Sequence, residues 1–96
     1  MGKKLVMDSA PLVSVLMNCF NGEKYLREAI DSVINQTYQN WELVFWDNAS
    51  TDSSANIAKG YDKRIKYHLA SKTTPLGEAR NFALEKVSGE YIAFLD

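Results

Sequence analysis

The chain has 96 residues, 46% of them apolar and 24% charged, with 11 basic against 12 acidic side chains. That length suits one domain with a thin core. The near-neutral balance gives no field of one sign to draw nucleic acid or an anionic membrane surface, so neither is an expected partner. The basic pairs Lys3-Lys4 and Lys63-Arg64 read as solvated surface. No apolar run approaches the roughly 18 residues of a membrane span. The single cysteine, Cys19, excludes an internal disulfide. The opening Met1–Leu5 is basic but has no apolar stretch of signal-peptide length. The expected compartment is therefore the cytoplasm, at the inner membrane face for a longer protein.

Residues 1–11 read as a lead-in and 12–96 as the domain. Leu12-Val13-Ser14-Val15-Leu16-Met17 is an apolar run of the kind that forms a parallel strand buried on both faces. Asn18–Gly22 ends it. Tyr25, Leu26, Ala29, Ile30, Val33 and Ile34 form one helical stripe, with Glu23, Lys24, Arg27, Glu28 and Asp31 on the other side. Trp41–Trp46 is a second strand, stopped by Asp47-Asn48-Ala49-Ser50-Thr51-Asp52. A short helix follows over roughly Ser53–Tyr61, with Thr51 or Asp52 as its cap. Arg64–Leu69 alternates with period two and is a third, less buried strand. After the loop Ala70–Thr74, a helix starts at Pro75. Its stripe is Leu76, Ala79, Phe82, Ala83 and Val87, and Ser88-Gly89 ends it. Tyr91–Leu95 is a fourth strand, followed by Asp96.

This β-α-β-α-β-α-β order predicts an α/β fold: a parallel sheet in the order 3-2-1-4 with helices on both faces. Ligands of such sheets bind beyond the carboxyl ends of the strands. Those ends carry Asn18, Phe20 and Asn21, then Asp47 and Asn48, then Ala70, Ser71 and Lys72, then Asp96. Asn and Asp also end strands for purely local reasons. An aromatic face beside amides and carboxylates can nevertheless hold a nucleobase by stacking and edge hydrogen bonds. Neither glycine-rich phosphate cradle is present. A carboxylate-held divalent cation is the alternative way to hold a diphosphate.

With these residues in place, the chain resembles the inverting family 2 glycosyltransferases of the GT-A fold, from about Leu12 to Asp96. Val13–Asn21 is similar to the family's opening strand and aromatic-Asn turn. Ile34-Asn35-Gln36-Thr37-Tyr38 with Trp41-Glu42-Leu43 is similar to its first-helix exit into the second strand. Asp47–Asp52 is similar to its Asp-Asp-Gly-Ser-Thr-Asp loop. Gly77-Glu78-Ala79-Arg80-Asn81 and Gly89–Asp96 are similar to its third helix and the strand entering the D-x-D motif.

The resemblance implies transfer of a sugar, with inversion, from a nucleotide-diphosphate sugar, a UDP-sugar above all. It implies a glycan or lipid-linked acceptor and a divalent metal, Mg²⁺ or Mn²⁺, in the longer protein. It places Asn18 and Phe20 in the base pocket and Asp47 in the donor loop. Asn48 stands where the family has the aspartate that contacts uracil, Arg80 near the donor, and Asp96 at the first aspartate of D-x-D. Asparagine at 48 can still accept from a ring N–H, but adds a donor and removes a charge. The family commonly has proline and threonine around the position of Asn18.

The metal-holding aspartate and the catalytic base fall beyond position 96 by the same resemblance. No catalytic residue is therefore expected in this stretch, and none of the activity by itself. A non-catalytic nucleotide-binding or interaction module of the same fold is the alternative. A phosphoacceptor receiver would want acidic residues where Asn18 and Asn21 stand. Trp41, Trp46 and Tyr38 read as core and helix-packing residues. Cys19 and His68 are expected to stay apart, two strand spacings from one another. The outer edge of the fourth strand, 91–95, is an expected self-association surface.

Overall fold

The computed structural model describes residues 10–95; the other lead-in residues and Asp96 lie outside the described residues. The strands are β1 (Val13–Cys19), β2 (Trp41–Asp47), β3 (Ile65–Leu69) and β4 (Tyr91–Leu95). The helices are α1 (Leu26–Ile34), α2 (Ser54–Lys59) and α3 (Leu76–Leu84). All pairings are parallel, in the order β3-β2-β1-β4. This is the expected order. In register, Val15 stands between Leu43 and Ala93, and Phe45 beside Tyr67.

Strand alternation divides the core in two. On one face Val15, Met17, Leu43, Phe45 and Ile65 pack against Leu26, Ile30 and Val33 of α1 and Ile57 and Ala58 of α2. On the other, Leu16, Val44 and Trp46 pack against Ala79 and Ala83 of α3. Small alanines bring α3 close to the sheet, and Phe82 at its flank stacks on Trp46 with ring centroids 5.6 Å apart. Cys19 belongs to the first face, whereas His68 stacks on Trp46 of the second, so the sheet itself separates them.

Several boundaries differ from the sequence expectation. β1 continues through Asn18 and Cys19, because Asn18 pairs with Trp46 and Cys19 with Asp47. α2 is confined to Ser54–Lys59, with Ser53 at its N-cap; the neighbouring Asp52 accepts the Ser54 N–H at 2.9 Å. Pro75 stands at the N-cap of α3 rather than inside it. α3 also ends at Leu84, and Glu85, Lys86 and Val87 continue with tighter bonds to residues three back. Tyr25 is exposed just ahead of α1 and outside its buried stripe. Trp41 and Trp46 are buried, while the half-exposed Tyr38 donates its hydroxyl to the Pro11 carbonyl. Arg64 is less solvated than a bare surface pair, since its guanidinium lies 4.0 Å from the Trp41 ring.

Ser88 and Gly89 have a task other than stopping a helix. The buried Glu42 carboxylate accepts from Ser14 Oγ at 2.6 Å and from the Ser88 N–H at 2.7 Å. The Gly89 N–H donates in turn to Ser14 Oγ at 2.8 Å. A Cβ on Gly89 would stand 2.7 Å from the Leu12 carbonyl oxygen, so only glycine lets this backbone come so close. The network places β4 beside β1 at the amino end of the sheet and leaves the carboxyl end for the rim.

Candidate functional site

The carboxyl rim is built from two loops stitched to each other. Asn21, in the left-handed region at φ 52°, accepts from the Thr51 N–H at 2.7 Å through Oδ1. Its own N–H donates to Ser50 Oγ at 2.9 Å. Gly22 N–H donates to Ser54 Oγ, Glu23 N–H to Asp52, and Ser53 N–H back to Glu23. Short polar side chains satisfy the backbone of the opposite loop, so the rim is ordered without regular structure. Ala49 turns the second loop at φ 63°, a conformation that costs an alanine about 1–2 kcal/mol.

Asp47 is fully buried beneath this loop. Its Oδ1 accepts the Ser50 N–H at 2.8 Å and its Oδ2 the Tyr67 hydroxyl at 2.6 Å. Burial, with the hydrogen bond to Asp47 and its charge, raises the Tyr67 pKa well above its ordinary value. One carboxylate oxygen thus serves the loop and the other ties it to β3. Asn48 is nearly buried, and its amide faces the backbone of Thr74. Oδ1, the atom expected to meet a ring N–H, accepts from Thr74.

Asn18 and Leu16 share the face that meets α3. There a cavity of about 200 Å³ is lined by Leu16, Asn18, Leu76, Arg80, Phe94 and Leu95. A second hollow of about 170 Å³ is lined by Asn18, Cys19, Phe20, Asn48 and Leu76. Asn18 and Leu76 are common to both, which makes them one cleft along the ends of β1 and β4. The Arg80 guanidinium lies over the Phe94 ring, 5.2 Å from its centroid. Asn18 Oδ1 and Arg80 Nε are buried without a hydrogen-bond partner among the described residues. Such atoms cost about 1–3 kcal/mol each and call for an explanation. The other two of this kind, the indole nitrogens of Trp41 and Trp46, belong to side chains in the core clusters. Phe20, 49% exposed, offers its ring at the mouth of the cleft.

The fold thus brings Asn18, Phe20, Asn48 and Arg80 to one cleft, whereas Asp47 lines neither hollow and bonds Ser50 and Tyr67 instead; Asp96 lies outside the described residues. Among the described residues no three His, Cys, Asp or Glu side chains cluster as a metal site would. Sequence reasoning missed Leu76 and Phe94 as lining residues, because both read as core by periodicity. It also passed over Thr73 and Thr74, whose role rests on a contact 26 residues away in the chain.

Comparison with known proteins addresses the fold and the family. A sequence model described as glycosyl transferase family 2 matches residues 14–96. An uncharacterized glycosyltransferase of Haemophilus influenzae is 44% identical over 89 residues, covering 90% of this chain and 36% of the relative. The structure of Staphylococcus aureus TarS 1–349 in complex with UDP-GlcNAc superposes with a TM-score of 0.82 at 30% identity, covering 88% of this chain and 26% of that one. The mannosyltransferase PcManGT of Pyrobaculum calidifontis, in complex with GDP-Man and Mn²⁺, gives a TM-score of 0.75 at 25% identity over 85% of this chain and 26% of that one. The chain therefore spans about a third of its curated relative and a quarter of these structures. A parallel sheet of order 3-2-1-4, a rim built from the Asn21 and Asp47–Asp52 loops, and a match over nearly every described residue lead to one conclusion: the chain belongs to glycosyl transferase family 2, with the GT-A type of Rossmann-like fold.

Proposed function

We propose that this chain binds the nucleotide end of a nucleotide-diphosphate-sugar donor, a UDP-sugar above all, for a protein that transfers the sugar with inversion. The observation that carries the reading is the pair of unpartnered buried atoms, Asn18 Oδ1 and Arg80 Nε, lining one cleft with Phe20 at its mouth. Phe20 stacks on the base. Asn18 Oδ1 accepts from a donor N–H or hydroxyl. Arg80, held over Phe94, brings positive charge to the anionic donor. Asp47 and Asn48 act on the donor through the loops they order. Asp96 is the first residue of the motif that meets the ribose side of the donor.

A divalent cation, Mg²⁺ or Mn²⁺, would neutralise the diphosphate in the longer protein. The described residues offer no ligand set for it. Displacement at the anomeric carbon also needs a positioned base, and no residue of this chain is given that role. The 96-residue chain alone is therefore expected to transfer no sugar. The acceptor is a glycan or lipid-linked saccharide, met in the cytoplasm at the inner face of the membrane.

The binding claim is tested by titrating UDP, with Mg²⁺ or Mn²⁺, while following amide shifts. Saturable shifts at Asn18, Phe20 and Arg80 are expected. No saturation at millimolar UDP would overturn the reading in favour of an interaction module. One observation favours that second role: β4 exposes Tyr91, Ile92 and Phe94 at the sheet edge. Pairing of two copies through 91–95 would appear as a concentration-dependent mass in sedimentation, and a monomer at high micromolar concentration would exclude it.

A further inference from the structure

One side chain ties the loop between β3 and α3 to the base end of the cleft. Asn48 donates an Nδ2 hydrogen to the Thr74 carbonyl at 2.7 Å. Its Oδ1 accepts the Thr74 N–H at 3.1 Å, with Thr74 Oγ1 at 3.4 Å. Thr73 Oγ1 donates to the Asn48 carbonyl at 3.0 Å, and the Asn48 N–H to the Cys19 carbonyl at 2.8 Å. The orientation of the amide follows from its partner. Turned over, it would set N–H against N–H and oxygen against oxygen. Only an amide serves both bonds. A carboxylate of the same shape keeps the acceptor half and brings an anionic oxygen against the Thr74 carbonyl.

The consequence reaches the cleft. Thr74 is followed by Pro75, fixed at φ −58°, and then by Leu76, which opens α3 and lines both hollows. Arg80 lies one turn further along the same helix. Position 48 therefore sets where Leu76 stands relative to Phe20 across the base end of the cleft. With Oδ1 occupied by Thr74, the free capacity of the amide is its second Nδ2 hydrogen, which suits a base carbonyl rather than a ring N–H.

We propose that Asn48 is a positioning residue: a two-way latch on Thr74 that shapes the base pocket and thereby its base selectivity. The selectivity half rests on the nucleotide reading above; the latch half does not. The test uses the 96-residue chain and its Asn48→Ala and Asn48→Ser variants, both of which lose the amide, the second in case the first fails to fold. Hydrogen exchange without nucleotide should show the Thr74 amide exchanging about tenfold faster in both variants, while Val44 in β2 keeps its protection. Titrations with UDP and ADP should then show the ratio of the two affinities falling several-fold. A purely structural loss would weaken both nucleotides alike. Unchanged exchange at Thr74 would overturn the latch, and a released loop with an unchanged UDP-to-ADP ratio would overturn its role in selectivity. Failure of the wild-type chain to bind either nucleotide would overturn the nucleotide reading and the selectivity half together, with the latch still decided by exchange.

Discussion

Strands β2 and β4 are both mostly apolar and lie in one parallel sheet, yet all seven residues of β2 are buried and most of β4 is exposed. Composition does not separate them. β2 lies between β1 and β3, with α1 and α2 over one face and α3 over the other. Among the described residues β4 pairs with β1 alone, and the helix preceding it packs mainly on β1 and β2, reaching β4 through Arg80 over Phe94. An apolar strand is thus a capacity for burial, and its neighbours decide how much of that capacity is used.

The contrast can be broken most sharply at its two phenylalanines. Phe45, wholly buried in β2, should cost about 3–5 kcal/mol as Phe45→Ala in urea unfolding, a large share of the stability of so small a domain. Gly89→Ala comes next, with an expected loss of about 1–3 kcal/mol, because its Cβ meets backbone that cannot retreat without moving β4 from β1. A normal midpoint for this variant would mean that the Ser14–Glu42 network does not hold β4 in place.

Alkali probes the buried side of the rim. The Tyr67 pKa is raised from 10.0, chiefly by burial and then by Asp47. The neutral hydroxyl therefore stabilises the fold fully below pH 10, and this is lost as pH rises through the higher folded value. Tyr61, raised by burial and by its bond to Asp31, adds to the same slope. Stability should fall above about pH 10, less steeply in Tyr67→Phe; identical slopes would remove Tyr67 from the account.

Ala49→Gly should raise stability by about 0.5–1 kcal/mol, since glycine holds a positive φ without the Cβ penalty. A loss there would mean that the loop is not strained. Phe94→Ala in β4 closes the series, within about 0.5 kcal/mol of wild type, as for an exposed side chain. A cost near that of Phe45 would erase the difference between the two strands.

Much of the fold was legible along the chain. Leu26, Ile30 and Val33 recur on one helical face and are the buried residues of α1. The apolar runs of β1 and β2 announced strands covered on both sides. Boundaries were harder. Asn18 and Cys19 read as loop because polar residues stop strands by habit, whereas pairing with Trp46 and Asp47 extends β1 through them. Val87 read as helix because its spacing was right, yet the last α-helical turn closes at Leu84.

The rim shows the same division. That Asn, Asp and an aromatic gather at the carboxyl ends of the strands follows from alternating strands and helices, so Asn18, Phe20, Asp47 and Asn48 could be nominated from the sequence; Arg80, inside a helix, was nominated by the family resemblance alone. Their tasks could not. Asp47 and Asn48 are adjacent carboxylate and amide side chains of similar shape. One turns under the loop to Ser50 and Tyr67, the other outward to Thr74. The sequence by itself determined a parallel α/β sheet with a polar rim, because periodicity and strand-helix order are local properties. Only the tertiary structure decided which rim groups remain unpartnered and which are spent holding loops, because the bonds that decide it, Asp47 to Tyr67, Asn48 to Thr74 and Asn21 to Thr51, join residues distant in the chain.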